Sequence, residues 1–166
     1  MISDVIPIRA FWSVLRNIPG VLLKHYFPKE RLAQLIHIDV QPRHDSVLVD
    51  LGECASFRLA LQIFNQCPVL VEFDRASLCF WCGGTTFNIS AIERQQIAPG
   101  DIGILWLTGT IPDGQANLIA RHIESNPVAL SGTVDFNCKI HPFQKRLGHL
   151  DGINAKFYNV HIRSNT

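Results

Sequence analysis

The sequence predicts a mainly β protein: an antiparallel sandwich or barrel of about seven or eight short strands, with one inserted helix and a helical N-terminal extension. Beyond residue 36, apolar residues alternate with polar ones in several stretches, and glycine or proline turns separate these stretches at short intervals. Helical spacing is confined to the extension and to one later segment. We therefore expect a helical extension over residues 1–36 and a β-sandwich domain over residues 37–166.

The composition suits a globular chain with a sizeable core. Of the 166 residues, 47% are hydrophobic and 17% are charged, which argues against intrinsic disorder. The formal net charge is only +1, so no electrostatic field steers the chain toward nucleic acid. Five cysteines, an odd number in a chain of this length, are expected to be reduced and mostly buried thiols rather than a disulfide scaffold.

Large apolar residues of the extension recur at spacings of three and four, as on one face of a helix. We call this set the N-terminal stripe, and its members are Val5, Ile8, Phe11, Trp12, Leu15, Ile18 and Leu22. Pro19-Gly20 should kink or end this helix, and a second short helix is expected from Pro28.

The N-terminal stripe is the strongest candidate for an interaction surface. It could pack on the chain's own sandwich, dock on a protein partner, or lie on a membrane surface with basic residues such as Arg9, Arg16 and Lys24 toward the headgroups. The residues that would dock are Ile8, Phe11, Trp12, Leu15 and Leu22. No apolar run approaches the roughly 20 residues of a transmembrane helix and no signal peptide is evident, so any membrane contact is expected to be peripheral.

The rest of the chain is predicted to alternate between strands and turns. The predicted strands are 36–40, 46–51, 57–63, 69–82, 85–97, 102–110, 128–140 and 153–162, with a short helix over 115–124. Turns are expected at 83–84, 98–101 and 112–114, and a loop at 148–152. Around Asp74 the apolar residues change phase, which indicates a β-bulge.

The longest patterned segment, residues 61–84, contains two strands joined between Asn65 and Pro68. An asparagine side chain can hydrogen-bond to nearby backbone groups, and proline fixes φ and removes a donor from the strand ladder. We expect these two residues to let the chain leave one sheet and enter the other.

Residues at this hinge and further along resemble a known family. Asn65 and Pro68 match two positions of an Asn-Pro-Asn-Pro motif, residues 97–100 approximate an Ile-Pro-Ala-Gly turn, and a later strand opens with Leu-Ser-Gly at 130–132. In this order they resemble the late embryogenesis abundant type 2 domain, also called the water-stress and hypersensitive-response (WHy) domain, over residues 47–162. Gln66 and Cys67 depart from the family motif.

The resemblance implies an immunoglobulin-like or fibronectin type III-like β-sandwich with a stress-protective or membrane-associated role. It transfers no catalytic residues to this chain.

Two cysteine motifs raise the alternative of a zinc site. Cys79 and Cys82 form a Cys-x-x-Cys, and Cys138 and His141 form a Cys-x-x-His, which together offer three sulfurs and one nitrogen. On a regular strand, however, the odd separation of Cys79 and Cys82 points them to opposite faces. Packed thiols are the favoured interpretation, and no cofactor is predicted.

Two further groups of side chains are interpreted as structural rather than functional. His149 and Asp151 fall in the predicted loop at 148–152, where Asp-Gly is a favoured turn pair. The strand aromatics Phe64, Phe80, Trp81 and Trp106 are expected to pack in the core or between the sheets.

The sequence thus predicts a non-catalytic binding or structural module that docks through its N-terminal stripe on a protein partner or a membrane surface. No nucleic acid and no small-molecule substrate is predicted. A structural subunit of a larger assembly is the alternative. A small enzyme or zinc-binding module that uses Cys79, Cys82, Cys138 and His141 is the third hypothesis.

Overall fold

Two β-sheets pack face to face, with three helices around them, in a computed structural model that describes residues 20–40, 47–123 and 128–160. The strands are β1 (Ile36–Val40), β2 (Val47–Asp50), β3 (Ser56–Asn65), β4 (Val71–Cys82), β5 (Thr85–Ile97), β6 (Ile102–Thr110), β7 (Val128–Cys138), β8 (Phe143–Ile153) and β9 (Ala155–Tyr158). The helices are α1 (Gly20–Tyr26), α2 (Lys29–Gln34) and α3 (Asp113–His122). The predicted β-sandwich with a short inserted helix is confirmed.

The two sheets differ in their construction. Sheet A has β3 at its centre, with β1 and β2 along one edge of β3 and β6 along the other. Strand β9 extends sheet A by pairing with β2 in parallel, whereas all other described pairs are antiparallel. Sheet B has the strand order β5-β4-β7-β8. The chain begins in sheet A with β1 to β3, passes to sheet B with β4 and β5, and later returns to sheet A with β6 and β9.

The chain passes between the sheets twice at one end of the sandwich, and the Asn65 side chain joins the two passages. It crosses from β3 to β4 through residues 66–70 and returns from β5 to β6 through residues 98–101. The fully buried Asn65 amide donates from Nδ2 to the carbonyl oxygens of Val69 at 3.1 Å and Ile97 at 2.9 Å. Its Oδ1 accepts the N–H of Cys67 at 2.8 Å. The predicted hinge is confirmed, and it includes the return passage.

Main-chain hydrogen bonds complete this junction. The Asn65 N–H donates to the Asp101 carbonyl oxygen at 3.0 Å, and the Gly100 N–H donates to the Asn65 carbonyl oxygen at 2.7 Å. The next residue, Gln66, donates its N–H to the carbonyl oxygen of Leu35 at 2.9 Å, just beyond the end of α2. Four segments of the chain are therefore held together around one residue.

Strand β4 contains the predicted bulge. Its register with both neighbouring strands shifts between Phe73 and Arg75. Phe73 is buried before the shift and Ala76 after it, so Asp74 is the residue at which the apolar phase changes. The bulge keeps the apolar residues of a 12-residue strand on the core side along its whole length.

The core behind β6 is filled by side chains from both sheets. The ring of Phe57 in sheet A lies 5.4 Å from that of Phe80 in sheet B, measured between centroids. A Cβ atom at Gly109 of β6 would lie 2.5 Å from the Phe57 ring, and one at Gly103 would lie 2.6 Å from Ile97 Cδ1. Strand β6 therefore lies so close over the core that these two inward positions leave no room for a side chain.

The turn between β4 and β5 is closed by two glycines, as predicted. Gly83 and Gly84 have φ angles of 54° and 77°, the left-handed values that a two-residue type I′ hairpin turn requires. A Cβ atom at Gly83 would lie 2.6 Å from the Cα of Ile119, so α3 packs directly on this turn.

The helices α1 and α2 are part of the sandwich rather than a separate body. Leu23 of α1 and Leu32 of α2 are buried in the same hydrophobic cluster as the strands of both sheets. Cys67, at the crossing, contacts α2 as well, since its Sγ lies 3.6 Å from the Leu32 carbonyl oxygen. The boundary that we expected at residue 36 falls at the start of β1, but the described part of the extension shares the core of the β domain.

Three local predictions are wrong. Residues 148–152 do not form a loop but lie inside β8, whose pairing with β7 is shifted at two positions. Residues 112–114 form the start of α3 rather than a turn, because Pro112 precedes the first turn of a helix and its fixed φ of −59° suits that position. The last predicted strand, 153–162, is divided between the end of β8 and the short β9.

We expect Asn65→Ala to lower the free energy of unfolding by about 3 kcal/mol, because three buried backbone groups would lose their partner. Urea unfolding of both proteins measures this difference. Asn88→Ala, at an exposed site on β5, is the matched control and should change stability by less than about 0.5 kcal/mol. Equal stability losses in the two variants would contradict the role of Asn65.

Gly83→Ala should destabilise the fold by about 2 kcal/mol or more, since it places a side chain at a left-handed φ and against the backbone of α3. Thermal unfolding measures the effect. Gly148→Ala is the control, because an added Cβ there meets no atom within 4 Å. A Gly83→Ala protein as stable as the Gly148→Ala protein would show that α3 does not pack on the turn.

Candidate functional site

Helix α1 contains the last residue of the N-terminal stripe, and it has a buried side and an exposed side. Leu22, the last stripe residue, is 50% exposed on α1, and Tyr26 one turn later is 60% exposed. Leu23, between them in sequence, is only 1% exposed. The other predicted docking residues, Ile8, Phe11, Trp12 and Leu15, lie outside the described residues. Helix α1 is therefore anchored on the sandwich by Leu23 and presents an apolar surface on its other side.

Basic residues lie close in sequence to this apolar surface. Lys24 and Lys29 are exposed, and the Arg31 side chain folds back so that its guanidinium lies 5.3 Å from the centroid of the Phe27 ring. Arg31 also donates from Nη1 to the Tyr26 carbonyl oxygen at 3.2 Å. Apolar and positively charged groups thus lie together on one short part of the chain.

A second apolar surface lies on the outer face of sheet A. Ile102, Ile104 and Trp106 alternate with buried residues along β6, and their exposed fractions are 53%, 41% and 48%. The Arg58 guanidinium on β3 lies 4.0 Å from the centroid of the Trp106 ring, a cation–π distance. We call Ile102, Ile104 and Trp106 the β6 row. Trp106 was predicted to pack inside, and that prediction is wrong.

The signal for the β6 row was present in the sequence. Residues 102–107 are apolar at both even and odd positions apart from Gly103, so an apolar row is expected on the face of this strand that does not point into the sandwich core. The alternation alone does not tell which face is inside. Leu105 and Leu107 are buried because β6 pairs with β3 in the register that places Leu105 beside the buried Leu61.

The structure does not bring the four candidate zinc ligands together. Cys138 of β7 lies opposite Val71 of β4. Cys79 of β4 lies opposite Ser131 of β7, which is seven residues before Cys138. At about 3.3 Å per residue, this places the two cysteines some 20 Å apart along the sheet. No group of three or more potential metal-binding side chains is found in the described ranges. As the odd spacing predicted, Cys82 is on the buried face of β4 and Cys79 on the other.

Cys138 and His141 interact through the main chain instead. The Cys138 Sγ donates to the His141 carbonyl oxygen at 3.1 Å and accepts the His141 N–H at 3.5 Å. These two contacts close the turn between β7 and β8. His149, expected in a loop, lies on β8, with its ring 5.3 Å from that of Trp81.

Three titratable groups have pKa values that the local structure shifts. Burial raises the pKa of the Cys82 thiol to about 12, and burial together with the nearby Cys138 raises that of Cys67 to about 12. Hydrogen bonds from Asn159 Nδ2 and from the Gly52 N–H, both at 2.9 Å, lower the pKa of Asp50. The bonds to Asp50 connect the end of β2 with the end of β9. All three shifts arise from packing or from structural hydrogen bonds.

Comparisons with known proteins assign no family to the chain. No protein-family model matches the chain, and no curated protein matches its sequence. Among solved structures, the chain is similar to a structural-genomics target protein at 11% identity, covering 70% of this chain and 84% of the other with a TM-score of 0.49. A putative ApaA protein from Bordetella pertussis is similar at 10% identity, 69% and 89% coverage, and a TM-score of 0.47.

A putative late embryogenesis abundant protein is also among the similar structures. It is 10% identical, the alignment covers 87% of this chain and 86% of that protein, and the TM-score is 0.40. These identities and scores assign neither a family nor an activity to the chain.

Proposed function

We propose that the chain is a non-catalytic β-sandwich module that docks on an anionic membrane surface through the N-terminal stripe and α1. The observation that carries this proposal is the division of α1, which buries Leu23 in the core and exposes Leu22 and Tyr26. Because Leu23 packs in the core on one side of α1, the opposite side of this helix can contact a membrane while the domain stays folded.

The charge around α1 supports an anionic surface. Interfacial helices combine an apolar face with lysine and arginine, which attract acidic headgroups. Lys24 and Lys29 are exposed and close in sequence to Leu22 and Tyr26. Arg31 lies against Phe27, and Glu30 is the one exposed acidic residue of residues 20–35. None of the described helices is both long enough and apolar enough to cross a bilayer.

The family resemblance supports the same role. Asn65 and the segment 97–100 carry the resemblance to the late embryogenesis abundant type 2 domain, and the Asn65 Nδ2 donates to the Ile97 carbonyl oxygen at 2.9 Å. Asn65 and Ile97, which belong to two separate parts of the family resemblance, therefore meet at one junction in the structure. Membership of that family would make the module stress-protective or membrane-associated, and we include this in the proposal.

The two buried thiols are not candidate nucleophiles. A cysteine acts as a nucleophile in its thiolate form, and a pKa near 12 keeps Cys67 and Cys82 protonated at neutral pH. The Asp50 carboxylate is occupied by two structural hydrogen bonds.

A structural subunit of a larger assembly is the second candidate function. The β6 row favours it, because three large apolar side chains in a line on one sheet face are typical of surfaces that other proteins cover.

We expect the full chain to sediment with vesicles that contain phosphatidylserine and to be released by salt, since the attraction is partly electrostatic. The double variant Leu22→Ser/Tyr26→Ser should bind less, and a variant that begins at Gly20 should lose most binding while it retains Leu23 and Leu32. Ile92→Ser, at a 72% exposed apolar site on β5, is the matched control and should bind normally. Binding that persists without residues 1–19 would contradict the role of the stripe.

Stability should fall as the pH rises above 9. The pKa of both buried thiols is raised from 9.0 to about 12 by folding, so above pH 9 the unfolded chain loses protons that the folded chain keeps. Urea unfolding from neutral pH to above pH 9 measures the slope. Cys67→Ala/Cys82→Ala should have a shallower slope, whereas Cys54→Ala, at an exposed site, should keep that of the unaltered chain. Identical slopes in all three proteins would contradict the burial of these thiols.

A further inference from the structure

Strand β6 is an edge strand without the usual protection. Natural edge strands avoid pairing with other chains by charged residues, prolines, bulges, short length or a covering element. β6 pairs with β3 over nine residues without a register shift and contains neither a charged residue nor a proline. Within the described ranges, no strand pairs with its other side. The backbone groups along that side form a regular template for another strand.

The other edges of the two sheets are protected. β5 carries the exposed charges of Glu93 and Arg94, next to the register shift opposite β4. β8 carries Lys145 and Arg146, is shifted in register twice, and contacts α2. β1 and β9 are only five and four residues long. Among the described edges, the exception is β6, and it also carries the three exposed side chains of the β6 row.

We infer that β6 pairs with β6 of a second copy of this chain, antiparallel across a two-fold axis, so that two copies of sheet A become one continuous sheet. An isologous contact requires a strand that is complementary to itself. If Ile104 lies on the axis, it faces the same residue of the second copy, and Ile102 faces Trp106. Every outward position of the β6 row then has an apolar partner, at the spacing where cross-strand pairs stabilise a sheet.

Charge does not oppose this pairing. The chain has a formal net charge of +1, so two copies repel each other little. At the end of β6, a groove of roughly 440 Å³ lined by Thr108 and Thr110 separates it from β5, and there β5 presents the uncharged residues Thr86, Asn88 and Ser90. At the start of β6, the polar side chain of β5 that lies against Gly103 is the uncharged Gln95. Arg58, a cation on the neighbouring strand β3, is already placed over the Trp106 ring.

The contact should be weak enough that the fraction of dimer depends on the protein concentration. One strand edge and a row of three side chains are a smaller surface than the about 800 Å² that each partner of a typical stable complex buries. We therefore expect a monomer–dimer equilibrium that shifts toward the dimer as the protein concentration rises.

Sedimentation velocity of the full chain over a concentration series tests the inference. The unaltered chain should show a rising dimer fraction. Ile104→Lys should remain monomeric throughout, because it places two like charges opposite each other on the axis. Ile92→Lys, which adds the same charge at an exposed apolar site on β5, is the matched control and should dimerise as the unaltered chain does.

Mixing two variants tests the register. Ile104→Lys and Ile104→Glu should each be monomeric alone and should dimerise with each other in a one-to-one mixture, because opposite charges then meet. Amide hydrogen exchange on the unaltered chain provides a test that needs no variant, since amides within residues 102–106, the part of β6 that this register pairs, should gain protection with rising concentration. A monomeric unaltered chain, equal loss of dimer in Ile92→Lys, or a dimer that leaves these amides unprotected would each overturn the inference.

Discussion

The side-chain amide of Asn65 is the interaction on which the arrangement of the sheets depends. A sandwich needs its chain to leave one sheet and return, and each passage has backbone groups that no strand ladder satisfies. Asn65 satisfies such groups on both passages, through Val69 and Cys67 on the way out and Ile97 on the way back. An amide suits this position because it donates twice and accepts as well. A carboxylate could not donate to the two carbonyls, and an apolar residue would leave them unpaired.

The rest of the junction follows from that placement. With Asn65 in position, its main chain pairs with Gly100 and Asp101, and the adjacent Gln66 pairs with Leu35. The helices α1 and α2 are thereby held at the same end of the sandwich as the crossings, where Leu23 and Leu32 complete the core. The surface of α1 is consequently oriented by the fold itself. This is the physical basis for considering it a docking surface.

The two apolar surfaces have different origins. On α1, an exposed and a buried residue are neighbours in sequence, since a helix turns by about 100° per residue and separates Leu22 from Leu23. On β6, inward and outward residues alternate, and both sets are apolar because the inner set fills the core while the β6 row does not. The membrane and self-pairing proposals therefore use different elements of the chain, α1 and β6.

The sequence by itself determined the fold class, most strands, the bulge at Asp74, the turn at Gly83-Gly84 and the hinge at Asn65. These features rest on local physics: side-chain alternation, glycine at left-handed φ, and a short amide that bonds nearby backbone. The opposite orientations of Cys79 and Cys82 follow from the same alternation. Residues 148–152 were wrongly predicted to form a loop because glycine and Asp-Gly favour a turn locally. Pairing with β7 keeps them in an extended strand.

Only the tertiary structure decided which apolar faces are covered. Period-two alternation identifies two faces of β6 but not the inner one, which the register with β3 selects. Likewise, only the packed chain shows that Cys138 and Cys79 are far apart and that the Asn65 side chain reaches Ile97, 32 residues further on. Such contacts are set by where distant strands pair, and that information is spread over the whole chain rather than held in any one segment.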